Sequence, residues 1–178
     1  MQISVDSQSR KNALRGRLGP YWKMEAANAV LVPAFVFWIA PPEDAVQLAV
    51  LGLSLAAACV LLVIGARYWF AVVERSKGNM APTASLMKLL DPWERPIQFL
   101  VAAACVTSMG MLIANGSSWP NVAALICALL AVLEYVNYFQ FQLQNFDHAP
   151  DWRRLRKGRR LRRAHLGRDL AHFRNSKP

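Results

Sequence analysis

Glu134 is an ionisable side chain set well inside an apolar run at 122–143. Asn137, Tyr138 and Phe141 follow it at i+3, i+4 and i+7, which is one face of a helix. Gln140 and Gln144 extend the polarity towards the end of the run. If the run lies in a bilayer, Glu134 is roughly 10–13 Å inside the hydrocarbon at ~1.5 Å per residue. A carboxylate there is costly if charged and facing lipid, so it should face protein, pair, or hold a proton. Two chemistries fit. One is a proton or cation site, or a ligand contact, with Asn137 and Tyr138 in support. The other is a buried hydrogen bond that fixes packing, to Asn28, Thr107, Ser108 or another subunit. Glu25 and Asn28 are three apart near the start of the first apolar run and are expected to share a face.

These residues need elements to hold them. Of 178 residues, 54% are hydrophobic, gathered into four nearly uncharged stretches at about 24–40, 45–66, 97–114 and 122–143. Each approaches the ~20 residues that cross a ~30 Å hydrocarbon core. Backbone in lipid must satisfy its own hydrogen bonds, so the fold class is all-α, a polytopic membrane protein with four transmembrane helices. A soluble bundle would show a polar face on each helix, and these stretches mostly lack one. A basic start before an apolar run also fits a signal peptide. Pro41 and Pro42 after Ala40 oppose cleavage, so the first run is read as a retained span.

The domain reading is a basic leader at 1–23, a four-helix domain at 24–143 and a basic tail at 144–178. Residues 67–96 form a loop between the second and third spans, with 85–90 as a short surface helix and 91–96 as a turn around Pro92 and Pro96. Lysine and arginine number 5 in the leader, 5 in that loop and 11 in the tail, which is all 21. The two other connections have none. The positive-inside rule then places both termini and the long loop in the cytoplasm. Small residues four apart, Gly52/Ala56, Ser54/Ala58 and Ala104/Ser108, permit close helix contact. The third span is expected to pack centrally.

The tail carries Trp152, Arg153, Arg154, Arg156, Arg159, Arg160, Arg162 and Arg163 in one dense run. Trp152, Leu155, Leu166, Leu170 and Phe173 fall on one helical side, while Gly158 and Gly167 favour two short amphipathic pieces or a bent helix. A basic amphipathic segment beside a membrane suits anionic headgroups or an acidic partner. Nucleic acid is the weaker reading, because only Trp152 and Phe173 offer base stacking.

No catalytic or phosphate-binding motif is present, and no histidine lies in a span. Cys59, Cys105 and Cys127 lack metal spacing and read as small buried hydrophobes. His148, His165 and His172 make no metal site by spacing. No enzyme, metal or cofactor is expected. The segment Glu134-Tyr135-Val136-Asn137-Tyr138, followed by Ala164-His165-Leu166-Gly167-Arg168-Asp169-Leu170, resembles small bacterial four-helix inner-membrane proteins. The likeness covers about the last 45 residues. It implies a bacterial inner-membrane setting and carries no activity. The expected role is a non-catalytic accessory or scaffold subunit packing with itself or a larger complex. The rival is a small proton-coupled transporter or channel using Glu134.

Overall fold

A computed structural model describes residues 2–142 and 163–176, with side chains described from residue 20 onwards. Helices α1 (Gln2–Ile39), α2 (Ala45–Ser76), α3 (Ala81–Asn115) and α4 (Trp119–Tyr135) follow one another along the chain. A wide π turn (Val136–Gln140) continues α4, and a last helix, α5 (His165–Asn175), closes the chain. The protein is all-helical, with no strand among the described residues. Three helices are long and apolar enough to cross a membrane: Ala45–Ser76, Ala81–Asn115 and Trp119–Gln140. The first expected span is not among them. Lys23, Glu25 and Asn28 interrupt the apolar half of α1.

Each turn has a local cause. Asp44 caps α2 by accepting from the Gln47 backbone N–H at 2.7 Å, and Gln47 Oε1 accepts from the Glu43 N–H at 2.9 Å. The reciprocal pair satisfies donors that a helix start would leave open. The α3–α4 turn closes where the Asn121 amide donates to the Gly116 carbonyl at 2.9 Å, with Gly116 at φ 78°. The α2–α3 turn occupies only 77–80, with Gly78 at φ 93°. Positive φ at both turns favours glycine.

The expected loop at 67–96 is therefore corrected. Helix α2 runs into that range as far as Ser76, and α3 begins at Ala81 and carries Pro92 and Pro96 inside it. Both prolines sit on the exposed side, while Leu86, Leu90 and Ile97 are buried against α2 and its neighbours. Packing of that face holds the helix through the local breakers. At ~1.5 Å per residue, the 35 residues of α3 outrun a ~30 Å hydrocarbon core.

Helix α2 is the centre, packed on α1, α3 and α4. The third span was expected there, but Ala102, Ala103 and Gly110 of α3 face outward. The seam is built from small residues. Ala57, Ala58, Ser54, Ala104, Ser108, Ala128 and Ala131 are fully buried. Such a seam lets backbones approach closely. The Ser54/Ala58 and Ala104/Ser108 pairs lie in it, whereas Ala56 of the Gly52/Ala56 pair is exposed. The outer surface is apolar too: Val30, Trp38, Phe99, Val106 and Ile113 stand largely exposed. In water such a surface would aggregate, and in lipid it is solvated.

Candidate functional site

Glu25 of α1 is 8% exposed and faces the bundle. Its Oε1 accepts a hydrogen bond from the Tyr138 hydroxyl at 2.8 Å. Tyr138 stands on the π turn, which closes when the Phe141 N–H donates to the Val136 carbonyl at 2.8 Å. Single π turns inside helices recur at functional sites, because they re-aim side chains at a cost in regularity. The tyrosine ring lies against Gly65 of α2, and a Cβ at that position would overlap the hydroxyl and the ring edge. Glycine there makes the room that the Tyr138–Glu25 bond occupies.

Glu134 lies one turn before Tyr138. Asn137 hydrogen-bonds its carboxyl group, and the Glu25 carboxyl group lies nearby. The second oxygen, Oε2, is buried and has no partner among the described residues. Trp69 Nε1–H lies beside the Tyr138 hydroxyl but outside hydrogen-bond geometry, and is likewise buried and unpartnered. The site thus draws on α1, α2, α4 and the π turn. It holds two carboxyl groups, a phenol, an amide and an indole.

A hollow of about 20 Å³ opens beneath it, lined by Tyr68, Trp69, Asn137, Tyr138 and His165 among others. It has room for about one water. Below the hollow sits α5. Leu166 and Leu170 are buried in the main core beside Phe139, Leu86 and Leu90. Gly167 lies under the Phe139 carbonyl, where a Cβ would collide. Asp169 Oδ2 accepts from the Tyr68 hydroxyl at 3.2 Å and pairs with Arg75 at 3.0 Å. Arg174 pairs with Asp91 and with Glu94, both at 2.7 Å, and donates to the Asp91 carbonyl at 3.1 Å. Those acids hold the Arg174 guanidinium above its ordinary value, so it stays charged. The Ala164 N–H donates to the Gln140 carbonyl at 3.1 Å, and Phe141 bridges antiparallel to Arg163.

Of the expected site residues, Glu134, Asn137 and Tyr138 come together. Asn28 does not join them. It is exposed, and α1 turns Glu25 inward in its place. Thr107 and Ser108 bond to the carbonyls of their own helix and leave Glu134 alone. In the tail, α5 is amphipathic as expected, but its apolar face packs on protein, which corrects the lipid-docking reading for 165–175. Arg163 is exposed. Trp152, Arg153, Arg154, Arg156, Arg159, Arg160 and Arg162 lie outside the described residues, as does His148.

Sequence reasoning missed Gly65, Arg75, Asp169 and Arg174. Asp169 carried a signal, as the one acid between Asp151 and the end of a very basic tail. The cysteines act as small packing groups. The Cys59 thiol donates to the Ala29 carbonyl at 3.4 Å and the Cys105 thiol to the Ala128 carbonyl at 3.7 Å. No group of His, Cys, Asp and Glu able to hold a metal occurs among the described residues. No protein-family model, curated protein or solved structure matches this chain.

Proposed function

We propose that this chain is a non-catalytic accessory or scaffold protein of the bacterial inner membrane, with four spans and both termini in the cytoplasm. It packs with itself or with a larger membrane complex. The observation that carries this reading is the docking of α5. Phe141 and Arg163 lie side by side on the bundle, and the Gln140–Ala164 bond and the paired arginines hold α5 there. Both ends of 143–162 are thereby held at one place on the bundle, on the side of the α2–α3 turn. That segment carries Trp152 and a dense run of arginines. A dense basic run between two anchored points suits an acidic partner or anionic headgroups. Beyond Glu134 the buried cluster is mainly apolar, built on Val36, Leu51, Leu55, Ala123, Ala124 and Cys127.

The test is the mass of the full chain in nanodiscs made from native membranes. Wild type is expected in an assembly larger than the monomer. Changing Arg153, Arg154, Arg156, Arg159, Arg160 and Arg162 to glutamine should dissolve that assembly while α5 stays docked. A strictly monomeric wild type would remove the proposal.

A second reading has its own support. Two neighbouring carboxyl groups, a π turn and a water-sized hollow suit a protein that takes up and releases a proton at Glu134. Proton flux in liposomes, present in wild type and lost in Glu134→Gln, would favour it over the scaffold.

A further inference from the structure

A groove of about 610 Å³ runs between α2 and α3. Val60, Val63, Leu89, Trp93, Ile97 and Leu100 line it, and its single charged group is Arg67. From Leu86 to Leu100 the groove follows α3 for about 21 Å at ~1.5 Å per residue. A second hollow of about 310 Å³ adjoins it, sharing Arg67, Leu86 and Leu89 and adding Phe70, Pro82 and Ser85. Arg67 therefore stands where an apolar trough meets a more polar chamber. It is exposed and has no ion-pair partner among the described residues. Arg75 and Arg174, by contrast, are paired.

The order along the helices matters. Arg67 is the lining residue of α2 nearest the turn at 77–80, and Cys59 is the farthest. The apolar trough thus rises from Arg67 into the part of α2 and α3 that is apolar enough to lie in lipid. Trp93, on the same wall, is 55% exposed, and tryptophan is a side chain enriched where bilayer meets water. One unpaired cation below a long apolar trough is complementary to an anionic amphiphile. A peptide helix would need polar partners spread along the trough, and beyond Arg67 the lining offers only the Cys59 thiol and the Trp93 indole.

We propose that this groove holds one anionic phospholipid of the surrounding bilayer, with an acyl chain along α2 and α3 and its phosphate on Arg67 and Ser85. The site is separate from the basic segment of the tail and does not depend on the scaffold reading.

The test is native mass spectrometry of the full chain from detergent containing equal phosphatidylglycerol and phosphatidylcholine. One retained phosphatidylglycerol per chain is expected. Arg67→Gln should lower its retention about five-fold, the scale of one basic group at a headgroup. Val63→Trp, which fills the trough, should abolish it. Lys88→Gln, on α3 but outside the groove, should leave it unchanged. Equal retention in Arg67→Gln and wild type overturns the proposal, as does an equal loss in Lys88→Gln or equal retention of phosphatidylcholine. A second copy of the chain seated on the groove overturns it too. If Arg67→Gln fails to fold, brominated-chain phosphatidylglycerol decides. Quenching of the Trp93 signal, wild type minus Trp93→Phe, should saturate, and a quench that never saturates removes the lipid site.

Discussion

The Tyr138 hydroxyl and the Glu25 carboxylate, 113 residues apart in the chain, meet at 2.8 Å in the buried part of the bundle. The bond ties α1, which packs chiefly on α2, to the π turn beyond α4. It also places a second carboxyl group beside Glu134.

Removing the donor should therefore loosen α1. Tyr138→Phe leaves a buried carboxylate unsatisfied, and a loss of about 1–3 kcal/mol is expected. Glu25→Gln keeps an acceptor and should cost less. Thermal unfolding in a fixed detergent measures both. An unchanged midpoint in Tyr138→Phe would mean that the bond contributes nothing to holding α1.

Gly65→Ala places a methyl group in the space of the Tyr138 ring. Overpacking of this kind costs about 1–3 kcal/mol. Tyr138→Leu should remove most of that penalty, because the ring is the obstacle. A double-mutant cycle on the same unfolding assay reads the coupling, and additive losses would show that the clash is absorbed elsewhere.

Docking of α5 rests on apolar burial first and ion pairs second. Leu170→Ala should free the helix, since truncating a buried leucine costs about 2–5 kcal/mol. Arg174→Ala should cost less, because its side chain is 42% exposed and water screens the pairs to Asp91 and Glu94. Hydrogen exchange of 165–175 is the measurement. Protection lost in Arg174→Ala but kept in Leu170→Ala would reverse the ranking.

Glu134→Gln separates packing from proton transfer. Glutamine preserves shape and a hydrogen-bonding oxygen, so under the scaffold reading fold and assembly mass persist. Under the carrier reading the protein folds and proton flux is lost. Unfolding temperature and liposome flux on the same preparation distinguish the two.

Topology is checked with single cysteines in a background lacking Cys59, Cys105 and Cys127. Lys77→Cys, in the α2–α3 turn, should react with an impermeant thiol reagent only after the cells are opened. Ser117→Cys, in the α3–α4 turn, should react in intact cells, as the charge asymmetry of the connections requires. The opposite labelling pattern would invert the orientation.

Local pattern made a large part of this protein legible. Apolar run length marks α2, α3 and α4 as able to cross a membrane, because burial of a continuous backbone in lipid is a property of consecutive residues, although it also marked 24–40. The start of α2 at Ala45 follows from the apolar run that opens there, and the Glu134–Tyr138 face follows from helical spacing. The small pairs Ser54/Ala58 and Ala104/Ser108 likewise mark a seam before any packing is seen.

Other features depend on which faces meet. Pro92 and Pro96 read locally as a turn, yet burial of Leu86, Leu90 and Ile97 carries α3 through them. Glu25 and Asn28 read as one face, but the rotation of α1 against α2 buries the first and exposes the second. The tail reads as a lipid-facing helix, because its apolar stripe does not say what will cover it. Its cover is the base of the bundle, held by Tyr68 and Arg75 on Asp169 and by Asp91 and Glu94 on Arg174. Those partners lie 80 or more residues away in the chain. Periodicity names the face of a helix and its composition, and only tertiary packing chooses the neighbour, because that choice is a competition among surfaces distant in the chain.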